Sequence, residues 1–99
     1  MTATVTTLKQ GRFSPGRTVI TPGALDALAQ AEQHPGDFLQ RHLSGDWGEL
    51  CEDDKAENQT ALECDLRLLS AYQTSRGQRI WIITEADRSA TTILLPEEY

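Results

Sequence analysis

The sequence predicts an α+β fold of two layers, in which N-terminal helices pack on one face of a C-terminal antiparallel sheet. Residues 21–64 contain helix start and stop signals together with apolar residues at three- and four-residue steps. Residues 67–95 change to short runs rich in β-branched and aromatic residues, separated by turns. The chain has 99 residues, which predicts one domain with one core. Helices that precede a meander of strands give a two-layer arrangement.

Composition and charge exclude several classes of protein. Hydrophobic residues make up 38% of the chain and charged residues 24%, which is typical of a globular protein and not of a collagen, mucin or disordered chain. Nine bases and fifteen acids give a net charge of −6, so we expect repulsion from phosphate backbones and no nucleic-acid partner. Met1–Gln10 has no apolar run, and no stretch reaches the ~20 apolar residues of a membrane span. We therefore expect a cytoplasmic protein with no membrane association.

The first residues predict a leader followed by an edge strand. Residues 1–16 have few bulky apolar side chains and end in a Ser-Pro-Gly turn sequence, which predicts a disordered leader. The single α+β domain is then expected to span residues 17–99. Arg17–Ile20 is predicted to be a short edge strand, because its valine and isoleucine favour extended backbone.

Three helices are expected next. Thr21 is predicted to cap the first helix, which has proline in its first position and an apolar stripe that runs to about Gln33. The second helix should begin at Pro35 and end at Gly45. The third begins near Glu52, where consecutive acids meet the positive end of the helix dipole. Its apolar stripe is thin, so we expect it to gain stability by lying across the edge of a larger element.

The last third of the chain predicts an antiparallel meander of three strands, or of four if the edge strand Arg17–Ile20 joins the same sheet. The tetrapeptide Ile80–Ile83 is apolar at every position, as in a central strand covered on both faces. The polar stretch Glu85–Ser89 reverses the chain, and Pro96 ends the final strand. The three predicted strands are Arg67–Gln73, Gln78–Thr84 and Ala90–Leu95.

The cysteines and histidines lack the spacing of a disulfide or a metal site. Cys51 and Cys64 lie across the third predicted helix, which would separate their Cα atoms by about 20 Å, whereas a disulfide requires about 7 Å or less. His34 and His42 would lie about 12 Å apart on helical geometry. We therefore expect two free thiols, as in a reducing cytoplasm, and no metal or other cofactor.

Trp47 and the surrounding acids are the candidate binding residues. Glycines close to Trp47 allow the backbone to bend, so the indole either covers the core or projects as a recognition residue. Ser44–Asp65 contains eight acids and a single base, Lys55, which predicts a solvated helix face or a surface for a basic partner protein. The residues expected to make such a contact are Trp47, Asp46, Asp53 and Asp54.

An alternative hypothesis for the polar residues is catalytic. His42 lies one turn before Asp46, and an imidazole oriented by a carboxylate is a common acid–base pair. The polar turn before the last strand adds carboxylates and a guanidinium, which suit phosphodiester cleavage. The catalytic candidates are His42, Asp87, Arg88 and Tyr72. The structural interpretation of the same residues is a core histidine bonded to backbone, an Asx turn at Asp87, and an ion pair of Arg88 with Glu85 or an acid of the third helix.

Three stretches of the sequence resemble a family of small bacterial proteins. They are Thr21–Leu25, Arg41–Gly48 and Ile82–Pro96. Together they are similar to uncharacterised proteins labelled plasmid-related, which occur on plasmids and other mobile elements. The resemblance covers most of the chain beyond Thr21. It implies a bacterial, cytoplasmic protein and brings no established activity, cofactor or catalytic residue.

Two functional hypotheses follow. Acids without an accompanying metal site or catalytic base favour a small non-enzymatic protein-binding module, associated with plasmids or mobile elements, whose partner has a basic surface. The alternative is a barnase-like ribonuclease or toxin domain, since helices followed by an antiparallel sheet are also the layout of those enzymes. Catalysis on RNA would require Arg67, Arg79 and Arg88 to converge on a positive cleft against the negative net charge.

Overall fold

The computed structural model of the protein describes residues 12–99, so the first part of the expected leader lies outside the described residues. The described chain has the predicted α+β architecture, and none of its helices is long and apolar enough to cross a lipid bilayer. A short 3₁₀ turn, Pro96–Glu98, follows the last strand. The helices and strands are β1 (Arg17–Ile20), α1 (Pro22–Gln30), α2 (Pro35–Leu43), α3 (Glu52–Cys64), β2 (Leu68–Gln73), β3 (Arg79–Thr84) and β4 (Ala90–Leu94).

Both of the first two helices begin at the predicted residue. The Thr21 hydroxyl accepts a hydrogen bond from the Ala24 N–H at 3.2 Å and so caps α1. α2 begins at its proline, and the preceding His34 accepts from the Gly36 N–H through Nδ1 at 2.9 Å. α1 ends earlier than its apolar stripe predicts, because Glu32 adopts a left-handed backbone with a φ of 57°.

The sheet is mixed rather than wholly antiparallel. Its strand order is β1-β4-β3-β2, and β2, β3 and β4 form the predicted antiparallel meander. β1 lies at the edge as expected but pairs with β4 in parallel, from Arg17 opposite Ala90 to Ile20 opposite Ile93. The prediction of an antiparallel fourth strand is therefore wrong. The apolar pattern of a strand identifies its faces and not its direction, and a parallel neighbour only requires a long connection, which the intervening helices supply.

The main core lies between the sheet and the first two helices. Alternate side chains of a strand point to one face, and on the inner face Tyr72, Ile80, Ile82 and Ile93 are each at most 2% exposed. The expected layer of helices over one sheet face is thus present for α1 and α2. The buried members that these helices contribute are Ala24, Ala27, Leu28 and Phe38.

α3 lies along the outer edge of β2, in agreement with its thin apolar stripe. Asn58 donates from Nδ2 to the Leu69 carbonyl at 2.6 Å and accepts from the Leu69 N–H at 3.2 Å. Further along the same edge, the Ala71 N–H donates to the Trp47 carbonyl, and the Ala71 carbonyl accepts from the Glu49 N–H. The edge of β2 is therefore covered rather than open.

Residues 12–16, the described end of the predicted leader, contact the domain. The Thr91 hydroxyl donates to the Pro15 carbonyl at 2.7 Å. The Phe13 ring stacks on Trp47. This short segment is held by the Phe13 ring, by this part-buried hydrogen bond and by a further one from the Arg12 N–H to the Leu43 carbonyl at 2.8 Å.

Candidate functional site

Trp47 closes the core beside β2. Its side chain is 3% exposed and packs in a second apolar cluster with Ala61 and Leu68. Gly48 has a φ of 75°, and a Cβ atom at this position would collide with the Ala71 carbonyl oxygen. Glycine is therefore required where this loop pairs with β2. Of the two interpretations of Trp47, the geometry matches a cover over the core and not an exposed recognition residue.

The indole N–H of Trp47 has no hydrogen-bond acceptor within residues 12–99. The indole is surrounded by other rings, with Phe13 stacked at a centroid distance of 6.5 Å and His42 edge-on at 5.7 Å. A buried donor without an acceptor reduces stability by about 1–3 kcal/mol. Trp47 is therefore held by the packing of its ring.

His42 lies at the centre of a chain of buried hydrogen bonds. Its Nδ1 is 2.6 Å from the Ser70 hydroxyl, and its Nε2 is 2.8 Å from the Thr84 hydroxyl. The Thr84 hydroxyl is in turn 2.8 Å from that of Thr91, which donates to the Pro15 carbonyl. His42 is thus a core histidine, and its partners are side-chain hydroxyls rather than the expected backbone groups.

The carbonyl at the end of this series of hydrogen bonds determines the direction of the bonds from Thr91 back to Nε2 of His42. A carbonyl oxygen only accepts, so Thr91 uses its one hydroxyl hydrogen on Pro15. Thr84 must then donate to Thr91, and the Nε2–H of His42 must donate to Thr84. In the neutral ring that burial favours, Nδ1 is the acceptor for the Ser70 hydroxyl. The neutral Nε2–H tautomer therefore satisfies every donor in the chain.

The two buried catalytic candidates are not presented to a substrate. Burial, with a smaller contribution from the charge of Arg88, lowers the pKa of His42 to about 3. Both ring nitrogens are bonded and the side chain is 0% exposed, so His42 cannot act as a general base in this arrangement. Tyr72 donates to the Asp46 carbonyl at 2.7 Å, and burial raises its pKa to about 12.

Asp87 and Arg88 shape the turn between β3 and β4. Asp87 accepts from the Ser89 N–H at 3.0 Å, which forms the expected Asx turn, and the hydrogen bonds of Ser89 hold the pKa of Asp87 below its usual value. The expected ion pair between Arg88 and an acid is wrong. The guanidinium instead donates to backbone carbonyls, at 2.6 Å to Leu66 and at 3.0 Å to Ala61. Arg88 thereby satisfies carbonyls at the C-terminal end of α3.

The three arginines that catalysis on RNA would require do not converge. Arg88 is directed at backbone carbonyls, and the guanidinium carbon of Arg67 lies 5.1 Å from the centroid of the Tyr99 ring. Arg79 begins β3, whereas Arg88 follows the far end of that strand. A strand of this length separates its two ends by about 17–20 Å. These three arginines therefore form no positive cleft within residues 12–99.

The predicted binding acids fall into two groups. Asp46 is engaged within its own loop, where it pairs with Nε of Arg41 at 2.7 Å and accepts from the Gly48 N–H at 3.2 Å. The hydrogen bond from Arg41 lowers the pKa of Asp46 below its usual range. Asp53 and Asp54 are exposed in the first turn of α3. These two carboxylates are accessible to a partner, whereas the carboxylate of Asp46 is already engaged by Arg41 and Gly48.

A groove with a volume of about 380 Å³ lies between α3 and the start of β2. A second cavity of about 320 Å³ adjoins it, shares Arg67 and Leu69 with it, and is further lined by Trp81, Ile83 and Tyr99. We call the first of these the α3 groove, and it combines apolar side chains with carboxylates. Its apolar lining residues are Leu50, Ala61, Leu66 and Leu69, its acids are Asp54 and Glu57, and Asn58, Thr60 and Arg67 complete it.

The sequence did not predict the α3 groove, because its residues come from three separate segments. They are the loop before α3, the helix itself, and the turn into β2 together with the first residues of that strand. One local signal was present. Leu66 stands in that turn between Asp65 and Arg67, and the structure leaves it 51% exposed where it lines the groove.

The cysteines are both free, as predicted, and both are exposed. Within residues 12–99, no group of three or more histidine, cysteine, aspartate or glutamate side chains is arranged to hold a metal ion. Of the predicted binding residues, Asp53 and Asp54 are exposed and are not engaged in the loop that holds Asp46, and the α3 groove lies on the same helix.

Comparisons with known proteins give no functional assignment. No protein-family model, curated protein or solved structure matches the chain. The resemblance to plasmid-related bacterial proteins stays a prediction, and the function is argued from the residues themselves.

Proposed function

We propose that this protein is a non-enzymatic binding module for a partner protein with a basic surface, and that the acidic face of α3 makes the contact. The observation that carries this proposal is the imbalance of charge around α3. Ser44–Asp65 holds eight acids and one base, and that base, Lys55, lies 3.7 Å from Glu52. Such a surface attracts cationic side chains and accelerates encounter with them.

The acids exceed what the stability of α3 requires. Glu52, Asp53 and Asp54 occupy the first turn, where the helix dipole favours negative charge. Glu57 and Glu63 are exposed further along the helix, where the dipole no longer favours them. Like charges on one helix reduce its stability. Recognition of a basic partner accounts for acids that helix stability does not explain.

The roles of the catalytic candidates in the fold favour binding over chemistry. His42 and Tyr72 are buried and bonded, and Arg88 is bonded to backbone carbonyls. The ribonuclease hypothesis therefore has no supporting observation in this geometry. An association with plasmids or other mobile elements rests on the sequence resemblance alone.

Calorimetric titration with a peptide of alternating lysine and serine tests this proposal. The informative variant combines Asp53→Asn, Asp54→Asn and Glu57→Gln, which removes three exposed charges and preserves side-chain length. Exposed charge pairs each contribute from a few tenths to one kcal/mol, so the affinity should fall about tenfold.

The matched control combines Asp26→Asn, Asp37→Asn and Glu97→Gln, which removes the same number of charges from exposed positions on other elements. Because charges beyond a Debye length are largely screened at physiological salt, this variant should bind nearly as the wild type does. An equal loss in both variants would mean that only net charge matters, and the absence of saturable binding to the wild type would overturn the proposal.

A further inference from the structure

On the basis of the proposed function, we infer that the α3 groove binds an extended segment of the partner protein in which one apolar residue is flanked by lysine or arginine. The groove adjoins the acids of α3 and contributes an apolar surface of its own. The ligand class is therefore a basic peptide segment with a single apolar anchor.

The α3 groove offers apolar surface that the described chain leaves open. Leu66 is 51% exposed, and Leu50 and Leu69 line the same space while only partly buried. Its volume of about 380 Å³ lies near the lower end of the range for small binding pockets, about 300–1,000 Å³. Helical ligands need a row of anchor positions along a longer groove. A single side chain of an extended segment fits this space better.

Two carboxylates of the groove favour a basic residue on one side of that anchor. Asp54 and Glu57 are three residues apart on α3, so they lie on the same side of the helix, and both line the groove. In an extended segment, side chains two residues apart project to the same side about 7 Å apart. A lysine or arginine two positions from the anchor therefore reaches a carboxylate while the anchor occupies the groove.

The adjoining cavity offers an aromatic surface to the lysine or arginine on the other side of the apolar anchor. Trp81 and Tyr99 meet edge to face at a centroid distance of 5.8 Å, and both line this cavity. Arg67, the one base in the lining of the α3 groove, is already engaged over the Tyr99 ring. The partly buried Trp81 remains as a second aromatic surface on which a cationic side chain of the partner can pack.

Recognition at this groove depends on side chains rather than on extension of the sheet. Beside the groove the outward backbone groups of β2 are already paired, since those of Leu69 bond to Asn58 and those of Ala71 bond to the loop at residues 47–49. A partner strand therefore has no free edge to join here. Nucleic acid is disfavoured as the occupant because the carboxylates repel phosphate.

Three synthetic peptides and isothermal titration of the full chain test this inference. The first peptide carries the core Lys-Ser-Leu-Ser-Lys, the second has alanine in place of leucine, and the third has glutamate in place of both lysines. The leucine peptide should bind about tenfold more tightly than the alanine peptide, because it buries more apolar area. The glutamate peptide should not bind.

Two variants and a matched control test whether the leucine lies in the α3 groove. Leu66→Ser removes an exposed apolar lining side chain, and Thr60→Phe fills the groove from an exposed position. Both should abolish the preference for leucine over alanine. Leu25→Ser is the control and should retain the preference for leucine over alanine, because Leu25 lies on α1, away from the groove. Leu25 is 52% exposed and Leu66 is 51% exposed, so the two substitutions are matched. Circular dichroism confirms that each variant is folded.

The possible results distinguish this inference from the proposed function. The leucine and alanine peptides could bind equally, and both could be weakened by loss of the α3 acids. That result would support the proposed function and would overturn the inference that the groove binds an apolar anchor. No binding of either lysine peptide would overturn both. Self-association of the protein alone that Leu66→Ser abolishes would assign the groove to a second copy of this chain and overturn the inference.

Discussion

His42 stabilises the fold through hydrogen bonds to residues that are distant in the chain. Its ring nitrogens bond to the hydroxyls of Ser70 and Thr84, which lie 28 and 42 residues further along. The apolar side of α2 was enough to predict a core histidine. The identity of its partners could not be predicted, since it depends on how β2 and β3 pair. Because burial favours the neutral ring, protonation of His42 is coupled to stability.

Stability should fall as the pH drops below about 6.5. The pKa of His42 is about 3 in the folded protein and about 6.5 in an unfolded chain, so the unfolded state binds the proton more tightly. The stabilising contribution is complete above the unfolded pKa and is lost as the pH falls towards the folded pKa. The free energy of unfolding in urea should decrease by up to about 1.4 kcal/mol per pH unit in this interval.

Two histidine variants isolate this effect. His42→Gln should be less stable at neutral pH and should lose the dependence between about pH 5 and 6.5, since the carboxylates of Asp46 and Glu98, whose pKa values are lowered, titrate at more acidic pH. His34→Asn keeps a capping acceptor at the start of α2 and should retain the wild-type slope. A wild-type stability that stays constant across this interval would show that the protonation state assigned to His42 is wrong.

Substitutions at Trp47 separate the contribution of ring packing to stability from that of the indole N–H. Trp47→Ala should lose about 3–5 kcal/mol of unfolding free energy, because it leaves a cavity between Ala61 and Leu68. Trp47→Phe keeps an aromatic ring and removes the unpaired N–H, so the loss should be smaller by at least about 2 kcal/mol. Chemical denaturation of both variants measures the difference. Equal losses would indicate that the indole N–H has a partner that matters.

Among the helices, α3 is hydrogen-bonded to the edge of β2 through one amide side chain. Asn58→Ala should lose about 2–4 kcal/mol, because both hydrogen bonds to Leu69 disappear and its backbone groups lose their partner. Gln59→Ala is the control, since Gln59 is exposed on the same helix and should change stability by less than about 0.5 kcal/mol. Thermal unfolding compares the two, and similar losses would contradict the role given to Asn58.

Salt should weaken binding through the acids of α3 and leave the apolar anchor largely unaffected. Screening increases as the Debye length falls from about 10 Å at 0.1 M to about 3 Å at 1 M salt. Titrations of the lysine peptides across this range should therefore show falling affinity, while the preference for leucine over alanine persists. An affinity that does not change with salt would rule out the acidic face as the contact surface.

The helix starts and the antiparallel meander could be predicted from local chemistry, whereas the direction of β1 could not. Proline at positions 22 and 35 predicted both helix starts, because proline suits the first helical position. The parallel direction of β1 depends on the path of the intervening helices, which no local pattern encodes. The acids of the candidate site could be read from composition. The α3 groove could not, because it exists only where Leu66 and Leu69 meet the side of α3.

Across the whole molecule, the core and the candidate binding surface occupy different places. The main core lies between α1, α2 and the inner face of the sheet, whereas the acids and the groove lie around α3 at the β2 edge. A partner can therefore bind at α3 without access to the main core. For the same reason, substitutions at exposed groove positions should change binding more than they change stability.

The most direct measurement is an NMR titration that maps where the Lys-Ser-Leu-Ser-Lys peptide binds, residue by residue. We predict saturable chemical-shift changes concentrated in residues 50–69 and extending to Trp81 and Tyr99, with the amides of α1 and α2 unchanged. Changes centred on α1 or α2, or no saturable change anywhere, would contradict the assignment of α3 and its groove as the binding surface.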